Sequence, residues 1–136
     1  MNYKVLIEVV AFVLVINVIG VAAFAQEESP AKQQTRAQQL FGDIAPKMAQ
    51  LTDDVLYGDI WERSELSKRD RSLVTVSALV AMNRPDQLLS HIKLALRNGV
   101  KKDEIVETIM HLAFYSGWPN SVAAIQVAKE VFNEQK

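Results

Sequence analysis

The two histidines of this chain, His91 and His111, are its candidates for moving a proton near neutral pH. His91 stands in the run LLSHIKLA, with Gln87 one helical turn before it and Arg84 two turns before it. At that spacing the three side chains form one polar stripe. Guanidinium, amide and imidazole in a row suit a small anionic molecule; the pattern also fits a partly exposed histidine on a solvated face. His111 lies in IMHLAFY, with Glu107 one turn before it and Tyr115 one turn after. A carboxylate within reach can fix the tautomer of an imidazole and strengthen its hold on a proton. A histidine satisfied by Glu107 in a core or an interface has the same neighbours. Glu107 and His111 share a helix face, but two ligands are too few for a metal, and no cysteine or histidine cluster completes the set.

Arg69, Arg71 and Arg84 can grip carboxylates through paired hydrogen bonds. Arg69 and Arg71 have an alternative use in surface pairs with Asp70 or Glu65. Tyr57, Trp61, Tyr115 and Trp118 can line a pocket, or simply pack; the phenylalanines read as core. No glycine-rich phosphate loop, nucleophile elbow or dinucleotide fingerprint is present. Cysteine is absent, which removes disulfides and thiol redox chemistry.

These groups need helices to position them. Ser67 followed by Asp70 resembles a capping box, and the helix it opens is apolar nearly all round from Leu73 to Met82. Such a helix is buried by its neighbours, and in a small domain other subunits help to cover it. Asn83-Arg84-Pro85-Asp86 ends it, and Pro85 starts the helix of His91. Asn98-Gly99 closes that one. Lys101 to Glu104 opens the helix of His111, Gly117-Trp118-Pro119-Asn120 stops it, and a last helix runs from about Ser121 to Phe132. Upstream, Leu40, Phe41, Ile44 and Met48 fall at helical spacing from Thr35 on, with Pro46 limiting its regularity. Thr52-Asp53-Asp54 offers caps for a further short helix, and Trp61 to Leu66 reads as a loop. No stretch alternates with period two, so the expectation is an all-α domain of about six helices.

Residues 1–25 read as a signal peptide: a positive start, an apolar run, and Ala23-Phe24-Ala25 ahead of a polar stretch. Cleavage is expected after Ala25, which places the protein in the periplasm or outside the cell. Val5 to Ala25 is also long enough to serve as a retained membrane anchor. Residues 26–34 form a flexible linker, and 35–136 the helical domain. A formal net charge of -1 points to neither nucleic acid nor an anionic membrane surface as partner.

Several pieces, in order, resemble the carboxymuconolactone decarboxylase family, within the alkyl hydroperoxidase D-like superfamily. They are Leu66-Ser67 with Arg69-Asp70-Arg71-Ser72-Leu73, then His91, Asn98-Gly99-Val100, and Tyr115-Ser116-Gly117-Trp118-Pro119. The resemblance spans roughly Phe41 to Val131. It implies an all-helical subunit assembling into trimers or hexamers. In the peroxidase branch a C-x-x-C pair stands seven and four residues before the histidine; here those places hold Arg84 and Gln87. Thiol peroxidase chemistry is therefore excluded. The decarboxylase branch converts 4-carboxymuconolactone to 3-oxoadipate enol-lactone and carbon dioxide, without a cofactor or metal. On that resemblance His91 is the general acid, and His111 with Tyr115 supports it or binds the developing oxyanion. Arg69, Arg71 and Arg84 anchor the small carboxylated substrate, with Trp61 and Trp118 beside it. The competing expectation is a non-catalytic helical oligomer that binds a small molecule or a partner protein.

Overall fold

A computed structural model describes residues 33–134; the expected leader, its cleavage point and nearly all of the linker lie outside them. Every regular element among the described residues is helical. The expected helix through Leu40 and Met48 is two: α1 (Arg36–Phe41) and α2 (Pro46–Leu51). Pro46 has no N–H to give a preceding turn, so it opens a new helix at its first position. The Thr52-Asp53-Asp54 caps do not form. Thr52 continues the α2 backbone into a wide π-type turn (Thr52–Tyr57), its hydroxyl donating to the Met48 carbonyl at 2.9 Å. The expected loop at Trp61 begins instead as a short 3₁₀ turn, Ile60–Glu62, which packs against the helix that follows.

That helix is α3 (Lys68–Ala81). The Ser67 hydroxyl accepts from the Asp70 backbone N–H at 3.0 Å, as a cap should, and donates to the Asp70 carboxylate at 2.8 Å. α4 (Pro85–Arg97) starts on Pro85 after Asn83, whose φ of 51° places it in the left-handed region that asparagine tolerates. Gly99, at φ 92°, turns the chain into α5 (Lys102–Ser116). The Lys101 N–H at its start donates to the Glu104 carboxylate at 2.8 Å. α6 (Trp118–Glu134) begins earlier than expected. Gly117 alone makes the break, at φ 98°, and Pro119 sits in the first turn of α6, where its missing N–H costs nothing.

α3 packs against α4, α5 and α6, and α6 against α4 and α5; α4 and α5 stand across the bundle from each other. Val76, Val80, Leu88, Ile92, Ile105 and Ile109 fill the centre, each at most 1% exposed. The ends are tied by side chains. Asn120 donates to the carbonyls of Ala81 (3.1 Å) and Ser116 (3.0 Å), and buried Ser121 donates to the Ile109 carbonyl at 2.8 Å. Within one subunit α3 is not covered all round: Val74 and Met82 are 60% and 58% exposed.

Arg69 joins α3 to α5. Its guanidinium pairs with Asp70 at 2.7 Å and with Glu104. The Ser67 hydroxyl, followed by Arg69, lowers the Asp70 pKa; the Lys101 N–H, followed by Arg69, lowers that of Glu104. A carboxyl held below its ordinary value, about 3.9 for Asp and 4.3 for Glu, stabilises the fold fully above that value. The contribution disappears as pH falls through the lowered folded value. Thermal melts between pH 7 and pH 3 therefore carry a prediction: Glu104→Gln is less stable than wild type at pH 7, and the gap closes toward pH 3. A gap constant across that range contradicts this role for Glu104.

Candidate functional site

The two histidines occupy opposite flanks of α3. On α4, Leu88, Ile92 and Ala95 point to the core, and His91 is half-buried beside them. Asn98 lies seven residues on, hence on the same stripe as His91. Its amide donates to Ser72 of α3 at 2.9 Å. The Arg84–Gln87–His91 stripe therefore borders the seam between α4 and α3. On α5 the same logic applies from the other side. Glu104, seven residues before His111, pairs with Arg69 of α3, so the His111 stripe borders the seam between α5 and α3. His111 is exposed, and its ring lies 4.7 Å from that of Tyr115 at 33°. Tyr115 is 77% exposed.

Between the two seams lies the outward side of α3, where Val74, Ala78 and Met82 face solvent. The result is an open shelf: an apolar floor on α3, His91 along one edge, His111 and Tyr115 along the other. A separate concavity lies at the end of the bundle, between Asn83, Arg84 and Pro85 on one side and Asn120 and Ala123 on the other. It is a shallow notch of about 150 Å³ that counts the solvent at its mouth. Ligand pockets typically span 300–1,000 Å³. Arg84 borders the notch; neither histidine does.

The three arginines serve differently. Arg69 is held by Asp70 and Glu104, and those pairs raise its pKa further. Arg71 donates to the carbonyls of Leu66 (3.1 Å) and Arg63 (3.0 Å), fixing the approach to α3. Arg84, at the N-terminal boundary of α4, is exposed, and its guanidinium makes no ion pair or hydrogen bond with the described residues. The aromatics also separate. Trp61 is only 9% exposed and packs 5.7 Å from Tyr57, whereas Trp118 is 64% exposed and meets Phe114 edge-on at 6.1 Å. Phe114, read as core, is 83% exposed. Among the described residues no three His, Cys, Asp or Glu side chains converge as metal ligands.

The sequence marks Asn98 and Glu104 only as helix ends, although each sits seven residues from a histidine. That interval marks a shared helix stripe, and both residues fasten a histidine-bearing helix to α3.

Residues 46–130 match the carboxymuconolactone decarboxylase family, and the chain belongs to it. It is 36% identical over 103 residues to a 4-carboxymuconolactone decarboxylase of Acinetobacter baylyi, covering 76% of this chain and 77% of that protein. It is 31% identical over 85 residues to the nitrosuccinic acid decarboxylase npaB of Metarhizium robertsii, covering 62% of this chain and 59% of the relative.

Trp61 gives a clean test of these placements. Removal of a buried large aromatic costs about 3–5 kcal/mol, so Trp61→Ala is expected to lower stability by that order, with Trp61→Phe recovering most of it. Denaturant unfolding measures both. Unchanged stability in Trp61→Ala contradicts the packing role.

Proposed function

We propose that the protein is a cofactor-free decarboxylase of a small carboxylated lactone or keto acid. The observation that carries this reading is the 36% identity to 4-carboxymuconolactone decarboxylase along most of both chains. The second relative, named for its action on nitrosuccinic acid, is also a decarboxylase. The shared requirement is a carboxylated substrate whose own electron-withdrawing group accepts the electron pair released with carbon dioxide.

The chemistry follows from that sink. Arg84, exposed and unpaired among the described residues, anchors a carboxylate that stays on the substrate. The bond to the departing carboxylate breaks, and its electron pair moves through conjugation to the substrate carbonyl oxygen. Tyr115 donates a hydrogen bond to the negative charge that develops there. Protonated His91 then delivers its proton to the substrate carbon and recovers one from water. Arg69 and Arg71 serve as positioning residues: one fastens α3 to α5, the other holds the loop before α3. Because the chain has no cysteine, no step passes through a thiol.

The active form in this reading is a trimer or hexamer, supported by the apolar outward side of α3 and the exposed aromatics near it. The leader read in residues 1–25 assigns the reaction to the periplasm or the cell exterior, on a substrate met there. The open shelf favours one competing reading, a helical oligomer that binds a small molecule without transforming it. That reading predicts carboxylate binding with no release of carbon dioxide.

His91→Ala decides between them. The variant is expected to keep its helical circular dichroism and to lose turnover by about 10²–10⁴-fold in carbon dioxide release. Arg84→Ala is expected to raise KM more than it lowers kcat. Wild-type rates in His91→Ala take His91 out of the mechanism.

A further inference from the structure

The last three carbonyls of α3 lack the usual partner four residues on, and each is taken by a group at the rim of the notch. The backbone N–H of Arg84 donates to Leu79 at 2.9 Å, and that of Asn83 donates to Val80 at 3.1 Å. The side-chain amide of Asn120 donates to Ala81 at 3.1 Å. Arg84 on one side of the notch and Asn120 on the other are thereby tied to one turn of backbone. Asn120 is constrained further. Its amide nitrogen also donates to the Ser116 carbonyl at 3.0 Å, so both amide hydrogens are spent. The oxygen, Oδ1, accepts no hydrogen bond from the described residues. The Arg84 guanidinium is unused in the same sense. Between the two lies an apolar floor that includes Leu79, Leu88 and Ala123.

We propose that the notch is a subsite for a hydroxy carboxylate: the carboxylate pairs with the Arg84 guanidinium, and the hydroxyl donates to Asn120 Oδ1. The chemistry of the two groups selects this class. A guanidinium offers several N–H donors and a charge, which suit a carboxylate. An amide whose hydrogens are spent can only accept, so its partner must bring a donor. A hydroxyl does so without adding charge, whereas an ammonium group would set a second cation beside Arg84. At about 150 Å³, with the solvent at its mouth counted, the notch takes one end of a ligand and not the whole of it. The rest of the molecule lies along α4 toward His91, two turns beyond Arg84 on the same stripe. That this molecule is then decarboxylated rests on the decarboxylase reading; the binding of its hydroxylated end does not. Joined to that reading, the subsite narrows the substrate to lactones and keto acids with a hydroxyl beside the carboxylate they keep.

Nitrogen–proton correlation spectra of the purified protein follow Arg84 Nε–H and the Asn120 amide separately. The probes are 2-hydroxypropanoate and propanoate, which differ only by the hydroxyl, with sodium chloride at equal ionic strength as the reference. Both probes are expected to shift the Arg84 signal, and 2-hydroxypropanoate alone to shift that of Asn120. Propanoate is expected to bind about 2–10-fold more weakly, as suits the loss of one hydrogen bond. Arg84→Gln is expected to abolish binding of both probes. Asn120→Ala also removes the ties to Ala81 and Ser116, so Ala123→Met serves as the second variant. It fills the floor, leaves every polar group in place, and is expected to lose 2-hydroxypropanoate. Equal affinity for the two probes overturns the role of Asn120 and the hydroxy-acid class. No shift of Arg84 with either probe overturns the subsite, even in a protein that releases carbon dioxide from a carboxylated lactone. Probe binding as expected, in a protein that releases none from any lactone or keto acid, overturns the decarboxylase reading and keeps the subsite.

Discussion

α3 is apolar on the side that faces the core and on the side that faces water, and most of the molecule can be understood from how that conflict is handled. Inward, Val76 and Val80 meet α4, α5 and α6 in a dry centre. Outward, Val74, Ala78 and Met82 stay exposed. The helix is held in place by polar ties at both ends. Ser67 caps it, Arg69 and Ser72 bind it to α5 and α4, and Asn120 closes its last turn. These ties satisfy the backbone and set the angle of the histidine-bearing helices while leaving the outward face bare.

The ties also explain a division of labour among groups that look alike in the sequence. Three arginines lie within sixteen residues of one another, all suited to carboxylates. Arg69 has an internal carboxylate on each side, so its charge is spent on architecture. Arg71 satisfies two loop carbonyls. Arg84, at the N-terminal boundary of α4, is exposed and makes no ion pair with the described residues. The carboxylate anchor proposed above needs a cation without an internal partner, and Arg84 stands at the head of the His91 stripe.

Much of this was legible in the residues. Ser67, Pro85 and Gly99 each act locally, through a cap, a missing N–H or a left-handed backbone, and the boundaries they set stand where their chemistry requires. The family resemblance extended that reading to the order of the helices. Features set by long-range packing were not legible. Nothing in the types of Trp61 and Trp118 tells which one is buried; Trp61 lies in a turn pressed against α3, and Trp118 opens a helix at the bundle's edge. Phe114 falls on the outward side of α5 by register alone. α6 starts at Trp118 and not near Ser121 because a proline in a first turn begins a helix and does not stop one.

The central claim is that carbon dioxide leaves a substrate able to hold the resulting charge and that an imidazole supplies the replacing proton. Decarboxylation of a carboxylated lactone in heavy water by wild type and by His91→Ala, followed by mass spectrometry, measures the release of carbon dioxide and its dependence on that imidazole. The account predicts one deuterium fixed in the product for each carbon dioxide released, at a rate set by the enzyme and with no added cofactor. Carbon dioxide release at the uncatalysed rate, or product that carries no solvent deuterium, contradicts it.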